Sequence, residues 1–150
     1  MKATHRIFLT LALAVGLTIT CLGAASDDAM ALVKDAAALV KAEGKEKAFA
    51  AFNDATGKFV KGDLYIFVVD ADGVTLAHGG NPKLIGKNMK ELKDADGNLF
   101  MQAMMDKAKS GGGWVDYKWT NPATKKVQAK STFVQPVEGT TVFVACGIYK

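Results

Sequence analysis

Six consecutive apolar residues, Leu64-Tyr65-Ile66-Phe67-Val68-Val69, constrain the fold of this chain more than any other feature. Five of them are β-branched or aromatic, and the run lacks the alternation of a strand with one wet face. It is too short for a buried helix and reads as a central strand covered on both sides, so its sheet needs a packed layer on each face. Asp70-Ala71-Asp72-Gly73 then makes a tight turn, and Val74 to His78 reads as the hairpin partner.

The remaining segments supply the layers. From Asp27 to Glu43, Met30, Val33, Ala37 and Val40 recur at three- and four-residue spacing, widened by Leu32, Ala36 and Leu39, which predicts an amphipathic helix. Ser26 or Asp27 is its expected cap and Gly44 its end. A second helix, Lys45 to Ala55, carries Ala48, Phe49 and Phe52 inward. Gly79 to Asn98 is too broken by Gly, Pro and Asn to be regular throughout, whereas Leu99 to Lys109 returns to helical spacing before Gly111-Gly112-Gly113. Strands at Trp114–Thr120, Lys126–Gln135 and Thr140–Tyr149 complete the pattern. The expected fold class is α+β: a long N-terminal helix on one face of a five-stranded antiparallel sheet, with a loop and helix over the other.

Ahead of this domain the chain has the three parts of a secretory leader. Lys2, His5 and Arg6 are basic, residues 7–22 are apolar, and Gly23, Ala24 and Ala25 are small. Residues 1–25 are therefore read as a signal peptide cleaved after Ala25, and residues 26–150 as one domain, periplasmic or secreted. An uncleaved anchor and a lipoprotein modified at Cys21 are the alternatives. The anchor is disfavoured by a short stretch interrupted at Thr10, Thr18 and Thr20, and the lipoprotein by the lack of a small residue before Cys21. Of the 19 cationic residues, Lys2 and Arg6 leave with the leader, so 17 lysines face 15 acids. So balanced a charge, with no basic run interleaved with aromatics, argues against nucleic acid. Cys146 is then the one remaining cysteine, which excludes an intramolecular disulfide, paired-cysteine haem attachment and multi-cysteine metal sites.

Few residues carry chemistry. The turns opened by Asp70 and Asp94 share Asp-Ala-Asp-Gly but lack the later ligands and closing Glu of a calcium loop, so they read as ordinary turns, and no metal or cofactor is expected. His78, the one histidine beyond the leader, either caps backbone carbonyls at its strand end or contacts a ligand. Strand alternation puts Val115, Tyr117 and Trp119 on one face and Trp114, Asp116 and Lys118 on the other. It likewise groups Gln128, Lys130, Thr132 and Val134. Lys130 is either a solvated lysine on an edge strand or a fixed cation aimed at an acidic ligand. No nucleophile arrangement is visible, so an enzyme is not expected.

Several stretches together resemble a known family. Tyr65-Ile66-Phe67-Val68-Val69-Asp70, Gly73, Leu76-Ala77-His78 and Asn81-Pro82-Lys83-Leu84-Ile85-Gly86-Lys87 are similar, in order and spacing, to the second class of single Cache domains of bacterial chemoreceptors and sensor kinases. Trp114 to Trp119, Lys130 and Cys146-Gly147-Ile148-Tyr149 extend the likeness over about Ala29 to Tyr149. The resemblance implies a PAS-like sensory fold outside the cytoplasm, with a pocket between sheet and overlying loop for small ligands, often short carboxylates. His78, Tyr117, Trp119 and Lys130 fall where pocket residues are expected, and Tyr65 and Trp114 within the same motifs complete the candidate set. Phe133 stands where a tyrosine is common, and Val142 and Phe143 replace the usual tryptophan of the last strand. With nothing following Lys150, the expectation is a free-standing domain that binds a small carboxylate in a sensory or solute-binding role. The alternative is a ligand-free subunit that docks on a membrane receptor or sensor kinase, or forms a homodimer, through its leading helix.

Overall fold

The computed structural model describes residues 20–150. The leader expected over residues 1–25 lies, as far as residue 19, outside the described residues.

Helix α1 (Thr20–Glu43) is longer than expected at its start. Its expected caps, Ser26 or Asp27, both lie inside the helix, where the Ser26 hydroxyl donates back to the Gly23 carbonyl at 2.7 Å. That is what an internal serine does when the backbone before it is already helical. Gly44, at φ 82° and ψ 169°, takes a positive-φ conformation open to glycine, which ends α1 and leads into α2 (Lys45–Asn53). The buried stripe of α1 is Ala29, Leu32, Val33, Ala36, Ala37 and Val40, so Ala29 is fully covered where Met30 was expected.

The sheet contains β1 (Val60–Lys61), β2 (Leu64–Asp70), β3 (Thr75–His78), β4 (Gly113–Thr120), β5 (Val127–Pro136) and β6 (Val142–Tyr149). Its order is β1-β2-β6-β5-β4, all antiparallel, and β3 pairs with β2 farther along the edge that β1 occupies. The sixth strand is thus the two-residue β1, too short to show a pattern in sequence. β2 is interior and buried from Tyr65 to Val69, although β6 and not β2 holds the centre.

Alternation along β2 and β6 divides the core. Ile66, Val68, Val144, Cys146 and Ile148 face α1 and α2, with Phe52 and Phe59 packed edge-on at 4.7 Å. Tyr65, Phe67, Val69, Phe143 and Ala145 face the other way, toward α3 (Phe100–Lys109). The broken segment before α3 holds a 3-10 turn, Pro82–Leu84, capped by the Asn81 side chain. It then returns along β3, where Gly86 N–H donates to the Thr75 carbonyl and Thr75 N–H to that of Lys87. This covers an edge that would otherwise be open to another strand. Both aspartate turns spend a carboxylate oxygen on the backbone: Asp70 accepts from Asp72 and Val74, and Asp94 from Asp96 and Asn98. No helix among the described residues is long and apolar enough to cross a membrane.

Candidate ligand-binding site

Lys130 lies on the α3-facing side of the sheet, opposite the last residue of β6. β5 runs between β4 and β6, with Tyr117 and Tyr149 as its neighbours in register, so the position is not a solvated edge. Its side chain is 1 % exposed. Nζ donates to the Tyr65 hydroxyl at 2.6 Å and reaches that of Tyr149 at 3.4 Å, lying 4.3 and 4.7 Å over the two rings. None of the ion pairs among the described residues involves it. Burial without a carboxylate partner pushes the amine down to about 7, against weaker opposing pulls from Cys146 and Asp63.

His78 ends β3 beside the lysine, 7 % exposed, its ring stacked on Phe67 at 5.6 Å and tilted against Tyr65 at 5.0 Å. It does not cap a carbonyl. Its Nδ1 accepts from the Asn81 backbone N–H at 2.9 Å and the His78 backbone N–H donates to Asn53 Oδ1 at 2.8 Å, which fixes the ring, the strand end and the loop after it. Burial, with the Lys130 charge behind it, holds the imidazole down to about 3, so it is neutral at pH 7. With Nδ1 accepting, the proton sits on Nε2, for which no hydrogen bond is found among the described residues; His78 lines both the cavity and the groove outside it. Asn53→Ala removes that anchor; because Asn53 is exposed, water reaches the freed N–H and the expected cost is about 0.5–1.5 kcal/mol. A melt followed by circular dichroism should show a midpoint a few degrees lower.

Tyr117 stacks on Phe100 at 4.8 Å and shares a hydrogen bond with Thr132 Oγ1 at 3.1 Å; burial raises its phenol. Trp119 leans on Phe100 at 5.2 Å. Tyr65, His78, Tyr117, Trp119 and Lys130 therefore line one cavity. Trp114 does not belong with them. Three residues before Tyr117, it has the opposite parity in β4 and packs on Phe133 at 5.4 Å in the α1-facing core.

Sequence reasoning missed three participants. Tyr149 completes the lysine's phenol pair and donates to the Thr120 carbonyl at 3.2 Å. Phe100 supplies the roof. Gly147 gives the lysine its space, since a Cβ there would run into Lys130 Cε and Thr132 Oγ1. Their signal is the β5–β6 register, Lys130 opposite Tyr149 and Thr132 opposite Gly147, which exists only once the strands are paired.

The space these side chains leave is small, about 20 Å³, enough for one water. Tyr65, His78 and Trp119 also line an outer groove of about 490 Å³, bounded by Gly80 to Lys83, Pro122 and Lys125.

The family model described as single Cache domain 2 matches residues 27–150. The sensor histidine kinase MctS of Rhizobium johnstonii is 34 % identical over 87 residues, 58 % of this chain and 19 % of the kinase. The chain thus spans about a fifth of that relative. A methyl-accepting chemotaxis protein from Vibrio parahaemolyticus superposes with a TM-score of 0.73 at 22 % identity, over 85 % of this chain and 90 % of its own. A Cache chemosensory domain solved to show the structural basis of carboxylic acid recognition gives 0.70 at 24 % identity, over 89 % of this chain and 99 % of its own. Both share the fold.

Proposed function

The chain belongs to the single Cache domain 2 family, and we propose from it that this is an exported sensory module binding a short-chain carboxylate in the cavity at Lys130. One observation carries the reading: a lysine 1 % exposed whose polar contacts are phenols. A buried cation without a counter-charge is costly, and an anion supplied by a ligand removes that cost. The other polar groups suit the same guest. The Tyr65 hydroxyl and the ring N–H of His78 are donors for a carboxylate, and Phe67, Phe100 and Trp119 form the apolar wall. A binding role is the reading that this set of donors around an apolar wall supports. Export rests on the leader pattern of residues 1–25. The relative described as recognising carboxylic acids adds support for the ligand class.

The closed state of the cavity, with room for one water, favours a second reading: a subunit that has lost its ligand and docks on a receptor, or on a second copy, through α1. A thermal-shift screen against acetate, propionate, pyruvate, lactate and uncharged metabolites separates the two. A ligand at a hundredfold excess over its Kd stabilises the folded state by about 2.7 kcal/mol. We expect one or more acids to raise the melting temperature and the uncharged analogues to leave it unchanged. No shift with any acid would transfer the weight to the docking subunit.

A further inference from the structure

Lys130 has features beyond those a carboxylate site needs. A cation meant only to pair with an anion is served by a guanidinium or by an amine kept charged by nearby acids. Here the amine is 1 % exposed, its partners are two neutral hydroxyls at 2.6 and 3.4 Å, and no acid among the described residues pairs with it. Such an amine spends much of its time unprotonated at neutral pH, with its lone pair free. An unprotonated amine at a mostly apolar cavity is a nucleophile toward a carbonyl carbon. The groups that assist such an addition are already at hand: the Tyr65 hydroxyl touching Nζ, the Tyr149 hydroxyl 3.3 Å from it, and the unpartnered Nε2–H of His78.

We propose that Lys130 captures a small 2-oxo acid reversibly as an imine, so that the cavity distinguishes 2-oxo acids from saturated carboxylates of the same size. This rests on the carboxylate reading of the same cavity. In the first step the Nζ lone pair forms the C–N bond and the carbonyl π-electrons move to oxygen. The Tyr65 hydroxyl gives that oxygen a proton and recovers one from nitrogen. In the second, the carbinolamine loses its hydroxyl as water and the remaining N–H proton leaves with it. One amine and one carbonyl give one imine and one water, with nothing oxidised or reduced. The acid's carboxylate lies next to the imine nitrogen and pairs with it when it is protonated, with Nε2–H of His78 as a second donor. Phe67, Phe100 and Trp119 restrict the water that would hydrolyse the product.

The test is reductive trapping. The purified protein is incubated with pyruvate or glyoxylate and sodium cyanoborohydride, which reduces an imine to a stable secondary amine, and the labelled lysines are mapped by peptide mass. We expect a mass gain equal to the acid less one oxygen, on Lys130, at least tenfold faster than on exposed lysines such as Lys45 and Lys61. Propionate should slow that labelling by occupying the cavity. A thermal shift with pyruvate but no preference for Lys130 in the label would overturn the imine and leave the carboxylate reading standing. Neither a shift with any acid nor a label on Lys130 would overturn both.

Discussion

Lys130→Met should leave the protein folded, raise its melting temperature in the absence of ligand and weaken carboxylate binding by about 10- to 150-fold. The loss follows from a charge-assisted contact worth about 1.5–3 kcal/mol, at about 1.4 kcal/mol per decade of affinity. The gain in stability follows from the same burial. Methionine fills nearly the same channel over Gly147 with no charge to desolvate. The substitution orphans little. Tyr65 and Tyr149 stay within 3.3 Å of one another, and Tyr149 keeps its bond to the Thr120 carbonyl. Calorimetric titration with the acid found in the screen, paired with a melt of the free protein, reads both effects. Unchanged affinity would remove Lys130 from the site; a lower melting temperature would mean that the amine is structurally required where it lies.

Much of this site was visible in the sequence because strands have a period of two. Alternation alone grouped Tyr117 with Trp119 and Lys130 with Thr132 and Val134, and these groups share a face in the folded chain. The same alternation separated Trp114, which entered the candidate set through resemblance and stands in the opposite core. What was not legible depends on strand order. Whether Lys130 is a solvated edge residue or a buried cation is decided by β5 lying between β4 and β6, with β2 beyond β6 bringing Tyr65 to the amine, and no local pattern near Lys130 encodes that placement. Gly147 is silent for the same reason: within an apolar strand it looks like a weak β-former, and its purpose appears only when the lysine stem crosses it. The start of α1 was misplaced because an apolar run that reads as a leader has no helix-start signal of its own, and the polar Ser26 and Asp27 imitate one.

Free-protein stability and carboxylate affinity should run in opposite directions with pH, and Lys130 is the cause of both. Burial lowers the amine from an ordinary 10.5 to about 7 in the folded state. Between those values the unfolded chain holds a proton that the folded chain has released, so folding stability rises with pH from about 7 toward 10.5. Below about 7 both states are protonated, the group contributes no slope, and its full destabilisation is present. The groups near the amine leave this trend readable between pH 7 and 9; above 9 the folded Cys146 thiol keeps a proton that the unfolded chain gives up, which opposes it. His78 on β3 is held down to about 3, Cys146 on β6 is raised to about 11, and burial raises Tyr65, Tyr117 and Tyr149. A saturated carboxylate needs the charged amine, so its affinity should be nearly flat from pH 6 to 7 and fall about tenfold per unit above that, roughly a hundredfold in all by pH 9. Titrations at pH 6, 7, 8 and 9, with melts at the same values, test this directly. Lys130→Met should lose both trends, and wild-type affinity independent of pH across that range would show that the ligand does not pair with a titrating lysine. A 2-oxo acid held as an imine should deviate in an informative way, since the unprotonated amine that weakens propionate binding is the species that attacks the carbonyl; its affinity should fall less steeply than that of propionate over the same range.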